Sequence, residues 1–495
     1  MEESLVNAWE GGDVACFPLK DEIRPMRRWN RGIRWLSIGL TLSGGFAPAA
    51  KAENLRDAWA ISLSVNQGLR AQQETSTAAG FDVKAANSAR YVTVRSYNID
   101  AFLAQSPKTK PATVGNSSST SGGSATAAAL PTVSLLGAHQ TFLPISLTTA
   151  SLPIYTGGKL LKTVDSARHQ LNAQKTEEVR TAIELKLTVA EAYVAVLRAQ
   201  RSLETTRSNV EQLASFARDV KNRLDQGLAI RSDDLAAQVS LSNAQLSEIQ
   251  ARTTLESAWA TYNRYLCRPL DQYAELEEIS ELPTDNDFWQ KMAAQVVANR
   301  GEFAGKNDAE VRELTARAIQ IRPELVRLAE QGQSLVAQAE ATRAGLRPQI
   351  SVNGGFVYLG ANSFIPQGNG EISMILDWTL TDSFKTRRQT EALKAQSRAS
   401  TRQKSDLAAD IALQIRTRWL DLQQAKQKVP IARFAVIQAE ENVKVITDRY
   451  RQQLATYTEV LDAENRRITS LNSFYNAVYD ENLAGFRLQR AVGDI

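Results

Sequence analysis

Cysteine and histidine are almost missing from this chain, with two of each in 495 residues. Two cysteines exclude a disulfide scaffold. Two isolated histidines, His139 and His169, argue against a histidine-built metal site. Charge of one sign is lacking too. A net charge of +4 is small for this length, so no nucleic-acid partner is expected. Apart from one stretch near the N-terminus, long hydrophobic runs are absent, and mean hydropathy is −0.30. A bundle of membrane-crossing helices is excluded, because each needs roughly 20 mostly apolar residues. These absences leave a transmembrane β-barrel open, since its alternating strands leave little trace in mean hydropathy. No Gly-rich phosphate loop, nucleophile elbow or metal-spaced Cys/His set occurs. Asp233 and Asp234 are adjacent carboxylates, but neighbours on a helix point to different sides. No catalytic residue, metal or cofactor is therefore assigned, and the chain does not read as an enzyme.

What is present begins with an address. A basic stretch (Arg27, Arg28, Arg31, Arg34) precedes an apolar one from Trp35 to Phe46. Ala50-Lys51-Ala52 then fits the small-x-small pattern of a secretory cleavage site. Residues 1–52 are expected to be an extension plus a cleaved signal, with Met26 a plausible true start.

The remainder reads as a duplication. Leu152–Lys159 aligns with Trp378–Lys385, and Asn222–Ala229 aligns with Asp448–Ala455, both at an offset of 226. Upstream, Asn66–Leu69 aligns with Arg322–Leu325 at 256. The difference is explained by 106–130, a Ser/Thr/Gly/Ala tract that cannot build a core and reads as a long loop. The repeats are expected at 53–267 and 310–495, joined by a linker over 268–309 that packs outside the helices.

Glycine (26) and proline (14) are sparse, and their positions mark the elements. No proline occurs from 154 to 268, and Gly227 is the only glycine from 159 to 300. No glycine occurs from 371 to 484. Such runs predict long helices interrupted at one point. Val210, Leu213, Ala217, Val220 and Leu224 repeat at heptad spacing, as do Val436, Ala439, Val443, Ile446 and Tyr450. Each half is expected to hold one helix of about 70 residues, one of about 40 returning from it, and one of about 38 before the first strand (Glu53–Arg90 and Glu310–Arg347). A 70-residue helix is roughly 100 Å long. Pro430 is expected to kink or break the second long helix.

Four alternating segments read as strands. Ile372, Met374, Leu376, Trp378 and Leu380 oppose Glu371, Ser373, Asp377 and Thr379. Ile350, Val352, Phe356 and Tyr358 alternate with Ser351 and Asn353. Tyr97, Ile99, Ala101 and Leu103 oppose Ser96, Asn98 and Asp100, and Leu143, Ile145 and Leu147 oppose Ser146 and Thr148. Ten-residue strands of this kind fit a membrane barrel with an apolar outside. Four strands cannot close one, and an open edge is intolerable in lipid, so copies must combine.

With these features the chain resembles the TolC-type outer-membrane efflux proteins over roughly 53–493. The resemblance rests on the duplication, on Leu152-Pro153-Ile154-Tyr155-Thr156-Gly157-Gly158 at a strand-to-helix junction, and on two helix-tip motifs. These are Gly227-Leu228-Ala229-Ile230-Arg231-Ser232-Asp233-Asp234-Leu235 and Leu454-Ala455-Thr456-Tyr457-Thr458-Glu459-Val460-Leu461-Asp462-Ala463, the latter preceded by Arg449-Tyr450. The resemblance implies a fold that is mainly α with a small transmembrane β part: a homotrimer with a twelve-stranded barrel in outer-membrane lipid, continuous with an α-helical tunnel in the periplasm. It implies a passive export conduit that docks a periplasmic adaptor and an inner-membrane transporter. It implies an acidic periplasmic entrance at Glu459 and Asp462, with Asp233 and Tyr450 in the links that hold it shut, and adaptor contacts near Gly227, Leu228, Ala229, Leu454 and Ala455. Ala455 stands where family members can carry a basic partner, and Gln453 stands where the second tip usually has glycine. The competing reading is a periplasmic or cell-envelope coiled-coil scaffold without a pore.

Overall fold

A computed structural model describes residues 52–101, 143–279, 291–292, 308–359 and 368–495. Residues 1–51, the loop at 106–130, Leu103, His139 and most of 280–307 lie outside the described residues. Twelve elements carry the argument: α1 (Leu55–Val65), α2 (Gln67–Ser88), β1 (Thr93–Ala101), β2 (Leu143–Tyr155), α3 (Lys159–Asp225), α4 (Arg231–Tyr265), α5 (Asp308–Ile321), α6 (Pro323–Ala344), β3 (Gln349–Leu359), β4 (Gly368–Asp377), α7 (Lys385–Arg451) and α8 (Tyr457–Val492). The described residues are mainly helical. Element bounds recur along the chain. Helices α2 and α6 have 22 residues each and begin 256 positions apart. Helices α3 and α7 have 67 residues each and begin 226 positions apart.

The described residues form two compact units, one within 78–171 and 330–400, the other within 52–77, 172–329 and 401–495.

The first unit contains an antiparallel sheet in the order β1-β2-β3-β4. Residues paired directly across antiparallel strands share a face. Tyr155, Ile350 and Leu376 therefore form one row, and Leu152, Val352 and Met374 the next. Tyr97 and Leu147 fall on the opposite face, with Val357, Asn353, Glu371 and Ser373. This corrects the expectation of one apolar side on all four strands. The apolar positions of β1 and β2 and those of β3 and β4 are out of phase, and the register shift between Pro153 and Tyr155 brings only the lower end of β2 into line. Strand ends shift as well. β1 begins at Thr93, and β4 ends at Asp377, which leaves Trp378 and Leu380 beyond it. Below the sheet, α3 and α6 are joined by Ser166–Ser334 (2.9 Å), His169–Glu330 (2.8 Å) and Lys162–Glu340 (2.8 Å).

The second unit is a set of helices packed through separate apolar clusters. Val189, Tyr193, Val196 and Leu197 of α3 meet Trp259 and Tyr262 of α4, Ala58 of α1 and Tyr479 of α8. The heptad positions behave as a seam: Leu213, Val220 and Val436 are buried. The start of the linker packs on this core through Ala274, Leu276 and Ile279. It is tied down by Glu53, whose N–H donates to the Glu275 carbonyl (2.7 Å) and whose carbonyl accepts from the Glu277 N–H (3.0 Å). The Glu53 carboxylate takes Arg268 (2.7 Å) and Tyr262 (3.0 Å).

Three helical expectations are corrected. The segment from Glu53 to Arg90 is two helices, split at Asn66. Its ψ of 121° is extended, and its side chain accepts the Leu69 N–H. The corresponding segment before β3 splits at Arg322, because Pro323 disfavours helical geometry in the residue before it. Arg322 is only 3% exposed. Its guanidinium is satisfied by Glu324 (3.0 and 3.2 Å) and Gln414 (3.1 Å), while Arg490 also reaches Glu324 (3.2 Å). Burial pulls the Arg322 guanidinium below its ordinary value, with the neighbouring Glu324 carboxylate opposing. Pro430, finally, does not break α7, which runs through it as helix. One lost N–H is a small part of a 67-residue helix, and the turns around it are held by Val429 and Val436 against Phe474, Ala477 and Val478.

The Tyr193 hydroxyl lies 2.6 Å from the Glu277 carbonyl and 2.9 Å from that of Glu53, its single proton shared between them. Tyr193→Phe is expected to cost about 1 kcal/mol, with little change in packing. Thermal unfolding of the purified protein, compared with wild type, measures this.

Candidate functional site: the two helix tips

Helix α3 turns into α4, and α7 into α8, through the same backbone device. In the first tip the Gly227 N–H donates to the Leu224 carbonyl (2.9 Å) and the Leu228 N–H to that of Arg223 (2.8 Å). In the second, the Gln453 N–H donates to Tyr450 (3.0 Å) and the Leu454 N–H to Arg449 (2.8 Å). Both turns need a left-handed residue. Gly227 has φ 74° and Gln453 has φ 63°. Gln453 thus gives the glycine geometry without glycine, at a local cost of roughly 1 kcal/mol. A Cβ on Gly227 would meet nothing within 4 Å, so its constraint is the dihedral alone.

The helix starts differ. α4 begins with Ile230 as its cap, which makes no side-chain cap bond. α8 begins with a capping box: the Glu459 N–H reaches Thr456 Oγ1 (3.4 Å), and Glu459 Oε1 accepts from the Thr456 N–H (3.1 Å) and hydroxyl (3.0 Å). These bonds hold the Glu459 carboxyl below its ordinary value, the Thr456 backbone N–H foremost. Glu459 is therefore fixed in its first turn rather than swinging free. Asp462 is exposed, and among the described residues its carboxylate makes no hydrogen bond or ion pair.

Behind the tips sits a small cluster. Tyr457 is 1% exposed and packs with Val220, Ala237, Tyr450 and Leu461. The Arg223 guanidinium lies 4.8 Å from the centre of the Tyr450 ring. Tyr450 and Tyr457 have ring centres 6.0 Å apart. Asp233 sits in the first turn of α4, close enough for its charge to raise both phenols, although burial is the larger cause for each. Tyr457 is pushed up to about 12 and stays neutral at physiological pH. No hydrogen bond joins Asp233 to Tyr450 among the described residues, and the buried Tyr457 hydroxyl has no partner there. Gly227, Leu228 and Leu454 are exposed, and Ala229 and Ala455 half-buried. Tyr457 and Arg223 escaped the sequence reading. So did the capping box, although the Thr456-x-x-Glu459 spacing is a signal that could have found it.

Two changes test this description. Gln453→Gly is expected to stabilise the second tip by about 0.5–1 kcal/mol; local hydrogen exchange at 452–456 reads it. The depressed Glu459 carboxyl makes the sign of the pH effect definite. Its contribution to the cap is present at neutral pH and is lost as pH falls through its lowered folded-state value. Protection of the first-turn amides of α8, taken relative to intrinsic exchange at each pH, should fall on acidification. Glu459→Gln, which keeps the capping acceptor, should remove that acid dependence.

Three comparisons bear on this geometry. Residues 118–266 match the family model described as outer membrane efflux protein. The outer membrane protein TolC of Vibrio cholerae is 24% identical over 342 residues, 67% of this chain and 73% of that protein. Among solved structures, VceC of Vibrio cholerae gives a TM-score of 0.66 at 14% identity, covering 89% of this chain and 96% of that one. The CmeC outer membrane channel of Campylobacter jejuni gives 0.68 at 11% identity, covering 94% of each. The chain is therefore similar to the outer membrane efflux proteins over residues 118–266 and has the fold of these outer-membrane channels.

Proposed function

We infer that this chain is one protomer of an outer-membrane channel, a passive exit duct for an efflux or type I secretion system. The observation that carries the reading is the four-stranded sheet. Among the described residues β1 and β4 each have a single neighbour, and unpaired strand edges cannot stand in lipid. Pairing β4 of one copy with β1 of the next removes every edge. Three copies give twelve strands, enough to leave a passage where eight would nearly fill. Helix α4 supports the same closure. Leu235, Val239, Leu246 and Ile249 are exposed at coiled-coil-like spacing and suit a neighbouring helix. A scaffold without a pore has no use for an exposed apolar face such as Ile372, Met374 and Leu376 on β4.

The tips face the periplasmic entrance. Three copies bring three Glu459 and three Asp462 carboxylates into rings, which attract cations and resist crowding. Glu459 has two duties, capping α8 and supplying charge, whereas Asp462 supplies charge alone. Tyr450 and Asp233 line the seam between the hairpins, with Arg223 serving Tyr450 in place of a basic residue at 455. The periplasmic adaptor grips the exposed positions Gly227–Ala229 and Leu454–Ala455, and the inner-membrane transporter supplies the energy.

The purified protein should run on a gel as a heat-sensitive trimer and conduct in a planar bilayer. A monomer with no conductance under any acid or salt condition would sink the reading. Asp462→Ala should weaken block by divalent cations, and Glu459→Gln should weaken it while keeping a capping acceptor. Unchanged block in both would remove these residues from the entrance.

A further inference from the structure

The junction of β2 with α3 holds a groove of about 440 Å³. Its walls include Arg90, Arg347, Ile154, Tyr155, Leu160 and Leu161, and among the described residues no acidic side chain lines it. Arg347 is held in place by a close approach. Its Nη1 donates to the Gly157 carbonyl (2.8 Å), and a Cβ on Gly157 would lie 2.6 Å from the Arg347 Cβ. Gly157 also has φ 62°, so glycine is needed there on both counts. That single bond leaves most of the Arg347 donors unused by Gly157. Arg90, opposite, touches Asn87 at 3.3 Å and is otherwise exposed. The apolar part of the groove is open: Ile154, Tyr155 and Leu161 are 60%, 49% and 53% exposed. Tyr155 shares its sheet face with Ile350 and Leu376. The groove therefore joins a cationic pocket to the apolar side of β3 and β4, at the end of the strands where the helices begin.

We propose that this groove binds the phosphate headgroup of an anionic glycerophospholipid from the periplasmic leaflet of the outer membrane. The proposal rests on the channel reading above. Arg90 and Arg347 take the phosphate oxygens, for which guanidinium is suited by its planar pair of donors. The acyl chains run along Ile154 and Tyr155 towards Ile350 and Leu376. Tyrosine at this depth has an apolar body and a polar tip, the combination enriched at membrane–water boundaries. Free phosphate would satisfy the arginines but leave the exposed apolar wall uncovered. A zwitterionic lipid would cover the wall but bring its own cation beside the two arginines.

Native mass spectrometry of the full-length protein, released from detergent and titrated with phosphatidylglycerol or phosphatidylcholine, tests this. Phosphatidylglycerol is expected to be retained at up to one molecule per protomer, with roughly thirtyfold preference over phosphatidylcholine, as two basic groups at about 1 kcal/mol each would give. Arg90→Gln with Arg347→Gln should abolish the preference. Because Arg347 also holds Gly157, Arg90→Gln alone is the second arm, and it should reduce the preference about threefold to fivefold. Excess inorganic phosphate should not displace the lipid. Equal retention of the two lipids, a preference unchanged in both variants, or displacement by phosphate each overturns the proposal. Conductance of the same wild-type preparation separates the two readings. A conducting channel without lipid preference defeats only the lipid site, whereas a preparation that never conducts defeats the channel reading.

Discussion

Backbone groups in hydrocarbon must find partners within the protein, and the rest of this molecule follows from that constraint. A sheet of four strands satisfies its inner ladders and leaves two edges. The cheapest solution is more copies of the same sheet. Oligomerisation is then the condition under which the strands can exist in lipid at all. Once copies are arranged around an axis, each pair of strands feeds a 67-residue helix, and those helices are brought side by side. The exposed apolar positions of α4 then become contact surface. In the proposed assembly the exposed Glu459 and Asp462 of the second tip would be gathered around that axis.

Much of the fold was legible in the sequence because its punctuation is so sparse. Gly158 and Gly227 bracket α3 to within a residue or two. The breaks at Asn66 and Arg322 were less visible, though Pro323 and the capping asparagine carried the signal. At Pro430 the expected break does not occur. A residue that breaks an isolated helix is absorbed when the surrounding turns are packed, because packing outweighs one missing donor. The alternating strands were legible one at a time, but their relative phase was not. Phase is a property of pairing, and the pairing partners of β2 lie more than 190 positions away in β3. That distance is why Tyr97 and Met374 read as equivalent and emerge on opposite faces.

The tips show a similar limit. Sequence motifs placed Glu459, Asp462, Asp233 and Tyr450 at one end of the hairpins, and the structure gathers Asp233 and Tyr450 around a common cluster. It also gives the cluster a centre, Tyr457, and a cation, Arg223, that no spacing rule announced. Contacts between different helices follow from how the helices are set against one another, and a heptad pattern constrains only the seam. Glu459 is the clearest case of two meanings in one residue. Its position fits an entrance charge, and its hydrogen bonds fit a helix cap.

The left-handed residues have a consequence of their own. Gly157, Gly158, Gly227 and Gly493 adopt positive φ in this chain, and so do Ser383, Phe384, Gln453 and Cys267. Set 226 positions apart, these eight residues form four couples, each with glycine on one side and a side chain on the other. The same turn is thus built twice in one molecule, once with a free backbone and once with a constrained one. Each couple is an internal control provided by nature. It isolates what a Cβ does to a turn, at equal solvent, temperature and chain length, without a single engineered substitution.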